Sequence, residues 1–263
     1  MAADRWRILS ICFLTSLSLL SGLAPDSCAA QGGARPELIV AAAADLVFAL
    51  REIAPLFEKE HRVKVTLTFG STGQLAQQIQ LGAPVDVFFA ANVAFVDDLR
   101  GKGAVISDSV ETYAQGQIVL ATQKGRAGLS TLRDLTQDDV RRIAIANPAH
   151  APYGMAAREA LMSAGIWTQV QPKLVYGENI RQTVQFLQTG NVDAAIIALS
   201  VAEVPEVQFS RIDQRLYKPL VQAAAVTARS RQADLARAFI RFVNGPQGRP
   251  IMKQFGFLLP GEP

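Results

Sequence analysis

The sequence predicts an α/β protein of two lobes, each a mostly parallel sheet flanked by helices, with a ligand cleft between them. Three observations carry this. Short apolar or β-branched runs alternate with longer helical patterns, as expected of strand–helix units whose parallel sheets are covered on both faces. The units fall into two groups, and the apolar runs "QIVLAT" (117–122) and "PLVQAAAVTA" (219–228) flank the second, so the chain crosses between lobes twice. With 263 residues, of which 49% are hydrophobic, the chain can bury a large core.

The elements follow in order. "ELIVAAA" leads into a helical pattern from Leu46 to Glu60, "VKVTLTF" into Leu75 to Leu81, and "VDVFFA" into Ala94 to Arg100. In the second group "RIAIA" precedes Met155 to Ala164, "KLVY" precedes Ile180 to Leu187, and "DAAIIAL" precedes a short helical turn. The expected lobes are 31–114 with 220–263, and 115–219.

Residues 1–30 read as an export signal removed in the mature protein. Arg5 and Arg7 precede an apolar stretch from Ile8 to Leu23, followed by Pro25 and small residues in "DSCAAQ". The cut removes Cys12 and Cys28, the only cysteines, so disulfide and thiol chemistry are excluded. It also removes two charges of each sign, leaving the net charge at +3, too mild and too scattered for nucleic acid. A periplasmic protein that acts as a monomer is expected.

In open α/β sheets, ligands bind beyond the carboxyl ends of strands, where helix N-termini present free N–H groups. Four such turns stand out: Ala44 and Asp45 in "AAAADL", Ser71 and Thr72 in "GSTG", Tyr153 in "APYG", and Ile180 in "GENI". Two lie in each lobe. No Lys or Arg lies within three residues of Ala44, Thr72 or Tyr153. Helix N-termini, each worth roughly half a positive charge, together with neutral hydroxyls favour a compact anion that keeps no proton.

Each turn is also an ordinary helix start, because Ser, Thr and Asp cap helices without any ligand. A secreted serine hydrolase using Ser71 or Thr72 with His61 or His150 is the alternative from another class. Against it, "GSTG" is not a G-x-S-x-G elbow, and "NPAH" reads as a solvated loop. P-loop chemistry lacks its lysine motif. Direct binding of a metal cation lacks a His/Cys/carboxylate cluster, and no cofactor is expected.

Across nearly the whole mature length the chain resembles the periplasmic molybdate-binding proteins of ABC importers, of the type II periplasmic-binding-protein fold. The matching stretches include "VAAAADLVFAL", "FGSTGQLAQQIQLGAPVDVFFAAN", "IAIANPAHAPYGMAAREAL" and "VYGENIRQTVQFLQTGNVDAAIIAL". The resemblance implies capture of molybdate or tungstate and delivery to a membrane permease with its cytoplasmic ATPase. It places ligand contacts at Ala44, Asp45, Ser71, Thr72, Tyr153 and Ile180, the last through its N–H, and it makes the Tyr153 hydroxyl a ligand donor. A carboxylate aimed at a dianion would repel it, so only the main chain of Asp45 is expected to face the ligand, with its side chain capping Val47 or Phe48. A carboxylate turned inward would instead favour a protonated oxyanion such as phosphate or phosphonate. Sulfate is the remaining competitor.

Overall fold

The computed structural model describes residues 35–126 and 129–262. The export signal expected at 1–30 lies outside the described residues. Residues from Arg35 onward form one compact unit.

The first lobe begins β1 (Glu37–Ala43), a 3-10 turn (Ala44–Leu46), α1 (Val47–His61), β2 (Lys64–Gly70), α2 (Thr72–Gln80), β3 (Val87–Ala90), α3 (Val93–Gly101) and β4 (Glu111–Gly116). A single residue, Gln117, separates β4 from β5 (Ile118–Gln123), the first strand of the second sheet. There follow β6 (Ile143–Ala146), α4 (Pro152–Ser163), α5 (Trp167–Val170), β7 (Leu174–Gly177), α6 (Ile180–Gln188), β8 (Ala194–Ala198), a 3-10 turn (Leu199–Val201) and β9 (Val207–Arg211). The chain then returns through β10 (Leu220–Val226) and ends in α7 (Ala233–Val243) and α8 (Gly248–Gln254).

The two sheets share one plan. The first has the order β2-β1-β3-β10-β4 and the second β7-β6-β8-β5-β9. In each, three strands run parallel (β1 with β2 and β3; β6 with β7 and β8), and the strand reached directly after a crossing, β10 or β5, runs antiparallel to both its neighbours. The parallel strands β3, β6 and β8 are buried along their whole length, as strands covered on both faces must be.

Five elements go beyond the sequence reading, the one-turn α5 among them. The edge strands β4 and β9 carry polar residues that dilute their pattern. The helix α7 has a clear apolar stripe, with Ala236, Phe239, Ile240 and Val243 buried at helical spacing, and α8 packs beside it. Phe239 meets Phe57 edge-on at 5.0 Å between ring centroids; truncating such a side chain to Ala costs about 3–5 kcal/mol.

The lobes are closed on each other. Ala43, Ala44, Val47 and Ala91 of the first lobe belong to the same apolar cluster as the core of the second, with Ile145, Tyr153 and Ile180 among its members.

Candidate functional site

The carboxyl ends of β1, β2, β6 and β7 converge, and all six residues singled out by sequence, Ala44, Asp45, Ser71, Thr72, Tyr153 and Ile180, line one cavity. The space between them, counted out to its open mouth, is about 210 Å³. Gly70, Ala91, Pro152 and Asn179 complete much of the wall. Among the described residues that line it, Asp45 is the only acidic one and none is Lys or Arg.

Local sequence explains the donors. The first N–H groups of a helix have no intrahelical acceptor, and Thr72, Tyr153 and Ile180 sit in the first turns of α2, α4 and α6. At α6 the Asn179 side chain accepts from the N–H groups of Arg181 and Gln182 at 3.0 and 3.1 Å. That cap passes over Ile180, the first residue of α6, whose N–H has no intrahelical acceptor. Pro152 at the start of α4 has no N–H to satisfy and presets the helical φ. Gly154 is needed for close packing, since a Cβ there would lie 2.0 Å from the Ala146 carbonyl oxygen.

The two hydroxyls after β2 differ. Thr72 Oγ1 accepts from the Ala91 N–H at 3.1 Å, and its own proton remains available to an acceptor in the cavity. Ser71 Oγ donates to the His150 carbonyl at 2.7 Å and lies 2.8 Å from His150 Nδ1. The same carbonyl accepts from the Gly73 N–H at 2.9 Å. Ser71 is therefore tied across the cleft to the loop before α4. "NPAH" is not simply a solvated loop.

Two side-chain expectations are corrected. Asp45 does not cap Val47 or Phe48: no side-chain cap bond forms at that helix start. Its Oδ2 instead accepts from the Tyr153 hydroxyl at 2.8 Å and from Gln222 Nε2 at 2.8 Å. The phenolic proton of Tyr153 is thus committed to Asp45 and not offered to the cavity, while the phenol oxygen accepts from Gln222 at 2.9 Å. Gln222, on β10, was not singled out from sequence, although a lone amide inside "LVQAAAV" is the kind of buried polar group that needs partners. Ser200 was missed as well; its hydroxyl donates to the Asp45 carbonyl at 2.9 Å.

Burial pushes the Asp45 carboxyl up to about 6, against the opposing pull of its Gln222 and Tyr153 donors. Its Oδ1 has no hydrogen-bond partner, nor has Gln222 Oε1. Tyr153 is raised well above the ordinary phenol, first by burial and then by the neighbouring Asp45. Among the described residues no group of three or more His, Cys, Asp or Glu side chains could hold a metal ion, and no helix is long and apolar enough to cross a membrane.

Comparison with known proteins agrees with this architecture. A family model described as bacterial extracellular solute-binding protein matches residues 38–258. The molybdate-binding protein ModA of Azotobacter vinelandii is 33% identical over 93% of this chain and 97% of its own length. That of Rhodobacter capsulatus is also 33% identical, over 93% of this chain and 94% of its own. The solved structure of the Azotobacter vinelandii periplasmic molybdate-binding protein superposes with a TM-score of 0.80 at 30% identity, covering 85% of this chain and 99% of that one. The Mycobacterium tuberculosis sulfate-binding protein SubI shares the fold, with a TM-score of 0.75 at 16% identity.

Proposed function

The chain belongs to the bacterial extracellular solute-binding protein family, and from that premise we propose that it captures molybdate, and tungstate with it, and delivers the anion to an ABC importer. The observation that carries the reading is the convergence of four helix starts from two lobes on one small cavity without a cation. Such a cavity suits a compact tetrahedral dianion held by fixed dipoles. The names of the similar proteins point to the same ligand.

The residues take these parts. The Thr72 hydroxyl and the main-chain N–H groups of Asp45, Thr72, Tyr153 and Ile180 hold the oxyanion. Ala44 leaves room for it, and Ser71 fixes the α2 start against His150. The anion touches both lobes only when they close, so its binding energy shifts the population to the closed form. The permease of the importer recognises that form, with its ATPase behind it. Molybdate is favoured over sulfate by size, because rigid donors set for the larger shell lie too far from sulfate oxygens. The protein works in the periplasm as a monomer, exported by residues 1–30, and needs no cofactor.

A hydrolase reading has one observation in its favour: Ser71, His150 and Glu178 lie in sequence across the rim, with His150 Nε2 3.9 Å from Glu178 Oε2. The Ser71 proton, however, goes to a carbonyl. His150 is better read as a closure contact.

Thermal unfolding of residues 31–263 with molybdate, tungstate, sulfate, phosphate or no anion tests the proposal. At about a thousandfold excess over Kd a ligand stabilises by about 4 kcal/mol, which raises Tm by roughly 8–16 °C for a chain of this size. A rise with molybdate and tungstate alone is expected. A rise with phosphate alone would overturn the assignment in favour of a protonated oxyanion read by Asp45.

A further inference from the structure

The trio Asp45, Tyr153 and Gln222 does more than line a wall. Its members come from three places: the turn after β1, the start of α4, and the middle of β10. All three are buried. The Gln222 amide fixes the Asp45 carboxyl within the first lobe. The Tyr153 hydroxyl, brought by the second lobe, then docks between them, donating to Asp45 and accepting from Gln222. The Ser200 hydroxyl adds a further bond from the second lobe to the Asp45 main chain.

Asp45 Oδ2, the Tyr153 hydroxyl and Gln222 Nε2 are committed to one another, so these groups hold lobe to lobe and not lobe to ligand. Space for this arrangement is built into the crossing between sheets. At Gly116, the last residue of β4, a Cβ would lie 2.2 Å from the Tyr153 hydroxyl and 2.7 Å from Gln222 Nε2. Opening the cleft must break the two Tyr153 bonds together, since both converge on one phenol oxygen.

Building on the proposed function, we infer that Gln222 is a positioning residue of an inner latch, with Asp45 and Tyr153, that sets how long the closed lobes stay closed. The latch forms part of the time in the empty protein as well, but a ligand enters only while it is open. It therefore governs release and leaves the rate of encounter alone, which is where affinity differences within one binding mode normally reside.

The test uses residues 31–263, which contain no cysteine, carrying a dye pair on Gln78→Cys and Tyr176→Cys. Both positions are exposed, and they flank the rim contact between Gln74 and Glu178. In this background Tyr153→Phe, Gln222→Leu and the double variant are compared by stopped-flow with molybdate. Each single change is expected to speed release about tenfold or more, since Gln222→Leu removes one inter-lobe hydrogen bond and Tyr153→Phe removes both, with the association rate within about twofold of the parent. The double variant should release little faster than either alone, because both remove the same latch. Without ligand, the dye separation should widen in both variants. Unchanged release, or independent multiplying effects in the double variant, would overturn the latch. Should molybdate change neither the dye separation nor the Tm of the parent, the ligand assignment fails; the latch is then judged on the ligand-free separations, widening supporting it and no change overturning it.

Discussion

The two lobes touch through two unlike sets of polar contacts. At the rim, Gln74 donates to Glu178 at 2.6 Å and His150 faces the same carboxylate, whose side chain is 61% exposed. Inside, Asp45, Tyr153 and Gln222 join where water does not reach, and two oxygens have no partner at all. A rim contact exchanges protein for water at little net gain, whereas an inner one is electrostatically stronger and costly to leave half made. The energetics of closing therefore reside in a few side chains beside the ligand, and the rim aligns them.

The largest effect that would sharpen this contrast lies at the ligand itself. Ser71→Ala with Thr72→Val removes the hydroxyl whose proton is free for the ligand, its bond from the Ala91 N–H and the tie to His150; molybdate binding by calorimetry should fall at least a hundredfold, with the ligand-free Tm lowered by a few degrees because the buried Ala91 N–H loses its acceptor.

Next comes the protonation of the inner set. The Asp45 carboxyl stands at about 6 in the closed fold against 3.8 when free, so the closed fold holds the proton more tightly than the unfolded chain. Its stability contribution is fully present below about pH 4, declines as pH rises through about 6, and is gone above. The difference of about two units amounts to about 3 kcal/mol. Asp45→Asn should flatten the fall of Tm between pH 4 and 7; an unchanged slope would show that the carboxyl is not buried on closure.

Gly116→Ala comes third. The added methyl intrudes on Tyr153 and Gln222, and about a tenfold faster release is expected from a latch forced apart. Glu178→Gln should be smallest, within about 0.5 kcal/mol in Tm-derived stability, as for exposed ion pairs generally. A rim effect larger than the inner ones would invert the comparison.

What was legible from sequence follows the same division. Thr72, Tyr153 and Ile180 could be found because a helix start is written in consecutive residues: an extended run, a turn, then a helical stripe. The central parallel strands β3, β6 and β8 were legible because burial on both faces makes them continuously apolar. The destination of a side chain is another matter. Asp45 meets Gln222 across 177 positions and Tyr153 across 108, and nothing local tells an aspartate whether to cap its own helix or to reach another strand. His150 joins Ser71 across 79 positions for the same reason. The lone amide in β10 was the one local hint of an inner network. The edge strands β4 and β9 escaped because half-exposed strands share their composition with loops.

The cavity without lysine or arginine has a consequence for the surroundings in which such a protein works. Ionic strength acts on exposed charges, over a Debye length of about 30 Å at 0.01 M and about 3 Å at 1 M. Peptide dipoles and a hydroxyl sealed inside a closed cleft are shielded from it. Affinity for a dianion should then stay nearly level from dilute to brackish media, where a site built on guanidinium or ammonium groups would weaken. A scavenger outside the cytoplasm meets whatever salinity the habitat supplies, and this one keeps its grip in parts that salt does not loosen.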